Sequence, residues 1–185
     1  MPDFPSDKSD DILNAMEHLG DDFRKQTAST RAIVYRLIQS LLSSSSVRKW
    51  YEAQTGSRGA FMGGILELCK NERDPACLLD WFSVLSVYMT ELQPSADMVE
   101  KTFKVFSSYF PITVRASQAP VGITGEDLKA SLRNCFSASD DVAQLSIPYL
   151  TSKLERGDGV TLSVRVSKSG CHSSKSFADV YRLIF

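Results

Sequence analysis

The chain has 185 residues, 43% of them hydrophobic, so it is long and apolar enough to form one compact domain or several units of a repeat array. This composition excludes a wholly disordered chain. The 21 basic and 22 acidic residues give a formal net charge of -1, which excludes a uniformly basic protein that binds nucleic acid through phosphate contacts alone.

The cysteines and the first residues indicate an intracellular protein. The opening segment "MPDFPSDKSDD" is polar and acidic and lacks the apolar stretch of a signal peptide. No segment has an apolar run long enough to cross a bilayer, so we expect no membrane contact. The four cysteines form no CxxC pair, and we expect free, mostly buried thiols in a reducing compartment. They are Cys69, Cys77, Cys135 and Cys171.

The first part of the chain predicts helices separated by short polar segments. Residues 1–10 are rich in Pro, Ser and Asp, and we expect a disordered start. A weak helix is predicted over about residues 11–26. The segment "TRAIVYRLIQSLL" predicts a clearer helix, capped by Ser29 or Thr30 and ended by the serines at 43–46. Short helices are predicted over residues 47–54 and 60–70.

The segment "NERDPACLLDWFSVLSVYMTEL" gives the strongest helix signal. Asp74 is the candidate N-cap, and Pro75 occupies the first helical position, where its missing N–H is tolerated. An apolar stripe follows, broad enough to predict burial on more than one side. The next predicted helix follows Pro94 and extends to Phe110, where Pro111 ends it.

The segment "YFPITVRASQAPVGITGEDLK", which contains two prolines and two glycines, then separates two groups of helices. We interpret it as an architectural connector. Thr124 and Asp127 predict a capping box at the start of the following helix.

A last helix contains Pro148, which we expect to kink it. Helix, short turn and helix recur about four times, which predicts an all-α chain and favours a stacked α-α superhelix, with a compact helical bundle as the alternative.

The end of the chain breaks this pattern. In "GVTLSVRVS" apolar and polar residues alternate with a period of two, which is typical of a strand. We therefore divide the chain into a disordered start at 1–10, a helical array at 11–158 and an atypical, disordered or strand-like tail at 159–185.

The sequence contains few candidates for catalytic or metal-binding residues. Cys171 and His172 are adjacent, but neighbouring side chains in an extended segment point apart, so we interpret them as an exposed tail dipeptide. We assign Asp74 to helix capping and Glu72 to the helix macrodipole rather than to acid–base chemistry. The regularly spaced aromatic residues indicate a core more than a base-stacking surface. We expect no catalytic residue, no cofactor and no bound metal.

Three ordered segments resemble the Mms-nineteen family, called Met-eighteen in fungi. "GILELCKNERDPACLLDWFSVLSVYM" resembles its charged turn and long apolar helix, "YFPITVRASQAPVGITGEDLKASLRNCFSAS" its "YFPI…GIT-EDLK…LR-C" stretch, and "LSIPYLTSKLERGD" its "FAIPLLLEKLDS" helix. The resemblance covers about residues 30–158. The motif positions that we expect to be structural or partner-binding are Arg73, Asp74, Pro75, Phe110, Pro111, Gly122, Asp127, Leu128 and Lys129.

The resemblance implies a HEAT-like solenoid of about four helix pairs and a non-enzymatic adaptor. Proteins of this family act in the targeting complex of cytosolic iron–sulfur protein assembly and are linked to DNA repair and transcription. The implied partners are iron–sulfur assembly factors, iron–sulfur client enzymes and transcription factor II H subunits, in the nucleus and cytoplasm, without direct nucleic-acid binding. Family members are much longer, so we expect an N-terminal fragment or a shortened gene product.

Two other functions stay open at this stage. One is a general HEAT-type scaffold that binds different clients. The other is a thiol enzyme with Cys135 or Cys171 as the nucleophile.

Overall fold

The computed structural model describes Gly20 and residues 22–53, 58–112 and 122–156. Within these residues the chain is helical, without a strand, which confirms the all-α prediction. Residues 22–25 form a helical turn. The helices that follow are α1 (Ala28–Leu42), α2 (Ser45–Ala53), α3 (Arg58–Cys69), α4 (Pro75–Glu91), α5 (Ala96–Ser107), α6 (Gly125–Phe136) and α7 (Asp140–Arg156).

Local side-chain chemistry determines where several helices begin. The Asp74 side chain accepts hydrogen bonds from the backbone N–H groups of residues 76 and 77, and Pro75 follows it, as predicted. Thr124 and Asp127 form the predicted capping box of α6. The prediction for α1 was wrong, because the cap is Thr27, whose side chain accepts from the N–H of Thr30. Thr30 therefore lies inside the first turn rather than before it.

The helices form two packed layers. One layer contains α1, α4 and α6 side by side, and the other contains α3, α5 and α7. From α3 onward the chain alternates between the layers, which is the arrangement expected of an α-α superhelix. The helix α2 packs on α1 and lies beside the end of α4, where Arg48 on α2 forms an ion pair with Glu91.

Adjacent helices α1 and α4 run parallel. Groups that bind each other occur in the same order along both helices: the Ala28 carbonyl accepts from the Cys77 thiol, Arg36 pairs with Asp80, and Gln39 donates to Ser83. Because the two helices begin at the same end of the layer, the start of α1 lies close to the turn that precedes α4. This arrangement positions the candidate site described below.

Aromatic residues fill the core. On α4, Trp81, Phe82 and Tyr88 are fully buried, which agrees with the predicted apolar stripe. A second cluster joins α5, α6 and α7 through edge-to-face ring contacts, with centroids 5.1 Å apart for Phe106 and Phe136. Its members are Phe103, Phe106, Phe110, Phe136 and Tyr149. These rings pack against one another in the interior and do not form a surface on which bases could stack.

Two predicted helix ends differ from the structure. The helix α5 ends at Ser107 rather than at Phe110, because the N–H groups of Tyr109 and Phe110 bond three residues back in successive tight turns. Pro111 disfavours helical backbone at the residue before it. The serine connector is also shorter than predicted, since α2 already begins at Ser45.

Several sequence predictions concern residues that lie outside the described ones. They are the start at 1–10, most of the weak helix at 11–26, the central part of the connector at 113–121, the strand-like tail and the Cys171–His172 dipeptide. The division into segments at 1–10, 11–158 and 159–185 stays a prediction.

Candidate functional site

The turn between α3 and α4, residues 70–74, contains a buried carboxylate. Glu72 is 7% exposed. Arg31 on α1 binds it with two parallel hydrogen bonds, Nε to Oε2 at 2.8 Å and Nη2 to Oε1 at 2.9 Å. The Tyr35 hydroxyl donates to Oε2 at 2.9 Å, and the backbone N–H groups of Arg73 and Asp74 donate to Oε1 at 2.9 and 3.0 Å. This Glu72 cluster therefore joins α1 to the turn.

The electrostatics of the Glu72 cluster keep the carboxylate ionised. Burial alone would raise its pKa, but the hydrogen bonds from Arg31, then from the N–H groups of Asp74 and Arg73, and then from Tyr35 hold the pKa below its ordinary value of 4.5. A charge-assisted, fully hydrogen-bonded carboxylate has a structural role and is not available as a proton shuttle. The helix macrodipole that we inferred from the sequence is thus not the main partner of the Glu72 carboxylate. The sequence analysis did not identify its ion pair with Arg31.

The buried thiols are unsuited to nucleophilic chemistry. Cys69, Cys77 and Cys135 are free and buried. Burial raises the pKa of the Cys77 thiol to about 12, with a further contribution from the charge of Glu72, and burial also raises the pKa values of Cys69 and Cys135 well above their ordinary range. A reactive cysteine needs a lowered thiol pKa and access to solvent, so the geometry gives no support to Cys135 as a nucleophile. Cys171 lies outside the described residues.

Most of the family-motif residues that the structure describes shape the backbone or the core. Phe110 is buried in the aromatic cluster, and Leu128 is fully buried on α6. Gly122 has a φ of 95°, a left-handed conformation that favours glycine. Lys129 forms an ion pair with Glu126, 2.7 Å away. These positions, together with the N-cap Asp74 and the capping-box partner Asp127, make structural contacts. A binding role for any motif residue stays a prediction.

Two motif residues that are distant in sequence, Arg73 and Pro111, lie on the walls of one open cleft. The cleft has a volume of about 470 Å³ and lies between the α3–α4 turn and the segment after α5. Its lining consists of Asn71, Glu72, Arg73, Leu78, Ser108, Tyr109, Pro111 and Ile112. Sequence reasoning identified the two walls as separate motifs but gave no signal that they face a common space.

The described residues were compared with the requirements of a metal site and of a membrane-spanning helix. Among them, His, Cys, Asp and Glu form no group of three or more that could hold a metal ion. In the part of the chain that the structure describes, no helix combines the length and apolar character needed to cross a bilayer.

We expect the three buried thiols to resist modification in the native protein. Treatment with an aromatic disulfide reagent at pH 8, followed by peptide mapping with mass spectrometry, should leave Cys69, Cys77 and Cys135 unlabelled until denaturant is added. Cys171 provides an internal comparison, because its labelling is measured in the same sample. Rapid native labelling of Cys135 would contradict the structural role and support the thiol-enzyme alternative.

Substitution Glu72→Gln should destabilise the protein by about 3 kcal/mol at neutral pH, because it leaves the partly buried Arg31 charge without its counter-ion. The folded-state pKa of Glu72 is lowered, so its contribution to stability is present above about pH 4.5 and is lost as the pH falls through the folded-state value. The stability difference between wild type and variant, measured by urea denaturation, should therefore shrink below about pH 4.5.

The matched control for this prediction is Glu91→Gln. It removes the charge of a half-exposed ion pair with Arg48 on the same layer, and we expect a cost of less than about 1 kcal/mol. A Glu72→Gln cost that equals the control, or one that stays constant between pH 7 and pH 3, would contradict the role given to the Glu72 cluster.

Comparisons with known proteins agree with the family resemblance of the sequence motifs. The N-terminal family model of MMS19, described as Dos2-interacting transcription regulator of RNA-Pol-II, matches residues 1–163. The chain is 29% identical over 157 residues to the "DNA repair/transcription protein mms19" of Schizosaccharomyces pombe, covering 84% of the chain and 15% of that relative. It is 30% identical over 127 residues to the human "MMS19 nucleotide excision repair protein homolog", covering 68% of the chain and 12% of that relative.

A further relative is the "MMS19 nucleotide excision repair protein homolog" of Dictyostelium discoideum, 37% identical over 95 residues, which are 51% of the chain and 8% of that protein. The matched regions thus span a small fraction of the length of these curated relatives. No solved structure matches the chain significantly. The family model covers well over half of the chain, and the chain therefore belongs to the Mms-nineteen (MMS19) family, whose N-terminal part it matches.

Proposed function

We propose that the chain is a non-enzymatic scaffold of the targeting complex for cytosolic iron–sulfur protein assembly. In this role it helps to deliver iron–sulfur clusters to apoproteins of DNA metabolism, repair and transcription. The observation that supports the proposal best is the two-layer stack of parallel neighbouring helices in a chain of the MMS19 family. Such a stack presents an extended surface along each layer, and extended surfaces of this kind hold protein partners.

The names of the relatives connect the proposal to DNA metabolism. The relatives in fission yeast and human are named as DNA repair/transcription and nucleotide excision repair proteins. We extend this to partners in the nucleus and cytoplasm: assembly factors, iron–sulfur client enzymes and subunits of transcription factor II H. The HEAT-type identity of the repeats is part of the same proposal.

The second candidate function is a general helical scaffold with unrelated clients. The same stacked architecture favours it equally, because the fold alone does not select a partner. The two candidates differ only in the proteins that they bind, and one binding experiment separates them.

We expect affinity purification of the tagged 185-residue chain from fission yeast, followed by quantitative mass spectrometry, to enrich iron–sulfur assembly factors and iron–sulfur apoproteins. The matched control is Trp81→Asp, which places a charge at a fully buried position and unfolds the core, and it reports proteins that bind only unfolded chain. Enrichment of other clients alone would support the general scaffold. Failure to enrich any assembly factor or client above the control would overturn the proposed function.

A further inference from the structure

We draw no further inference here: the strongest candidate, the exposed apolar face of α1 formed by Ile33 and Leu37, carries none because nothing in the described part of the chain shows what covers it.

Discussion

The buried ion pair between Arg31 and Glu72 determines how the first layer of this protein is assembled. It joins the first turn of α1 to the turn before α4, over 41 positions of sequence. A buried charge pair that is well hydrogen-bonded contributes modestly to net stability, but breaking it is costly, because either partner alone stays buried and charged. The pair therefore favours one relative placement of α1 and α4 over others that would bury a similar apolar area.

The same carboxylate also shapes the turn. The Glu72 carboxylate accepts hydrogen bonds from the backbone N–H groups of the two residues that follow it. The Asp74 carboxylate accepts hydrogen bonds from the N–H groups of residues 76 and 77 at the start of α4. Asn71 precedes them with a φ of 64°, a left-handed conformation that asparagine tolerates better than most residues. Two successive carboxylates thus satisfy the backbone donors of the turn. Arg73, between them, is left to point its side chain toward solvent.

The aromatic cluster has a corresponding role at the other wall of the cleft. Phe110 packs on Phe136 and Tyr149, which anchors the chain just after α5. The hydroxyl of Tyr149 donates to the carbonyl of Ser107 at 2.8 Å and satisfies one of the last carbonyls of that helix. The position of Pro111 and Ile112 is therefore determined by packing among α5, α6 and α7. Both walls of the cleft therefore pack against one continuous hydrophobic core.

Short-range interactions in this structure could be predicted from the sequence, whereas interactions between distant segments could not. The caps at Asp74 and Thr124 were predicted, because each acts on N–H groups only two or three residues away. The partnership of Glu72 with Arg31 and Tyr35 was missed, since it depends on the packing register of α1 against α4. The end of α5 was placed too late, because apolar spacing continues to Phe110 after the helical hydrogen bonds have ended. The cleft was missed because its two walls come from separate motifs.

A double-mutant cycle on Arg31 and Glu72 tests the central claim most directly. The variants Arg31→Met, Glu72→Gln and the double variant are compared with the wild type by urea denaturation at pH 7. If the pair orders the layer, each single substitution leaves a buried group without its partner, and the double variant costs less than the sum of the two single costs by at least about 2 kcal/mol. A coupling energy below about 0.5 kcal/mol would show that the two residues act independently, and would contradict the view that this ion pair determines how α1 and α4 are assembled.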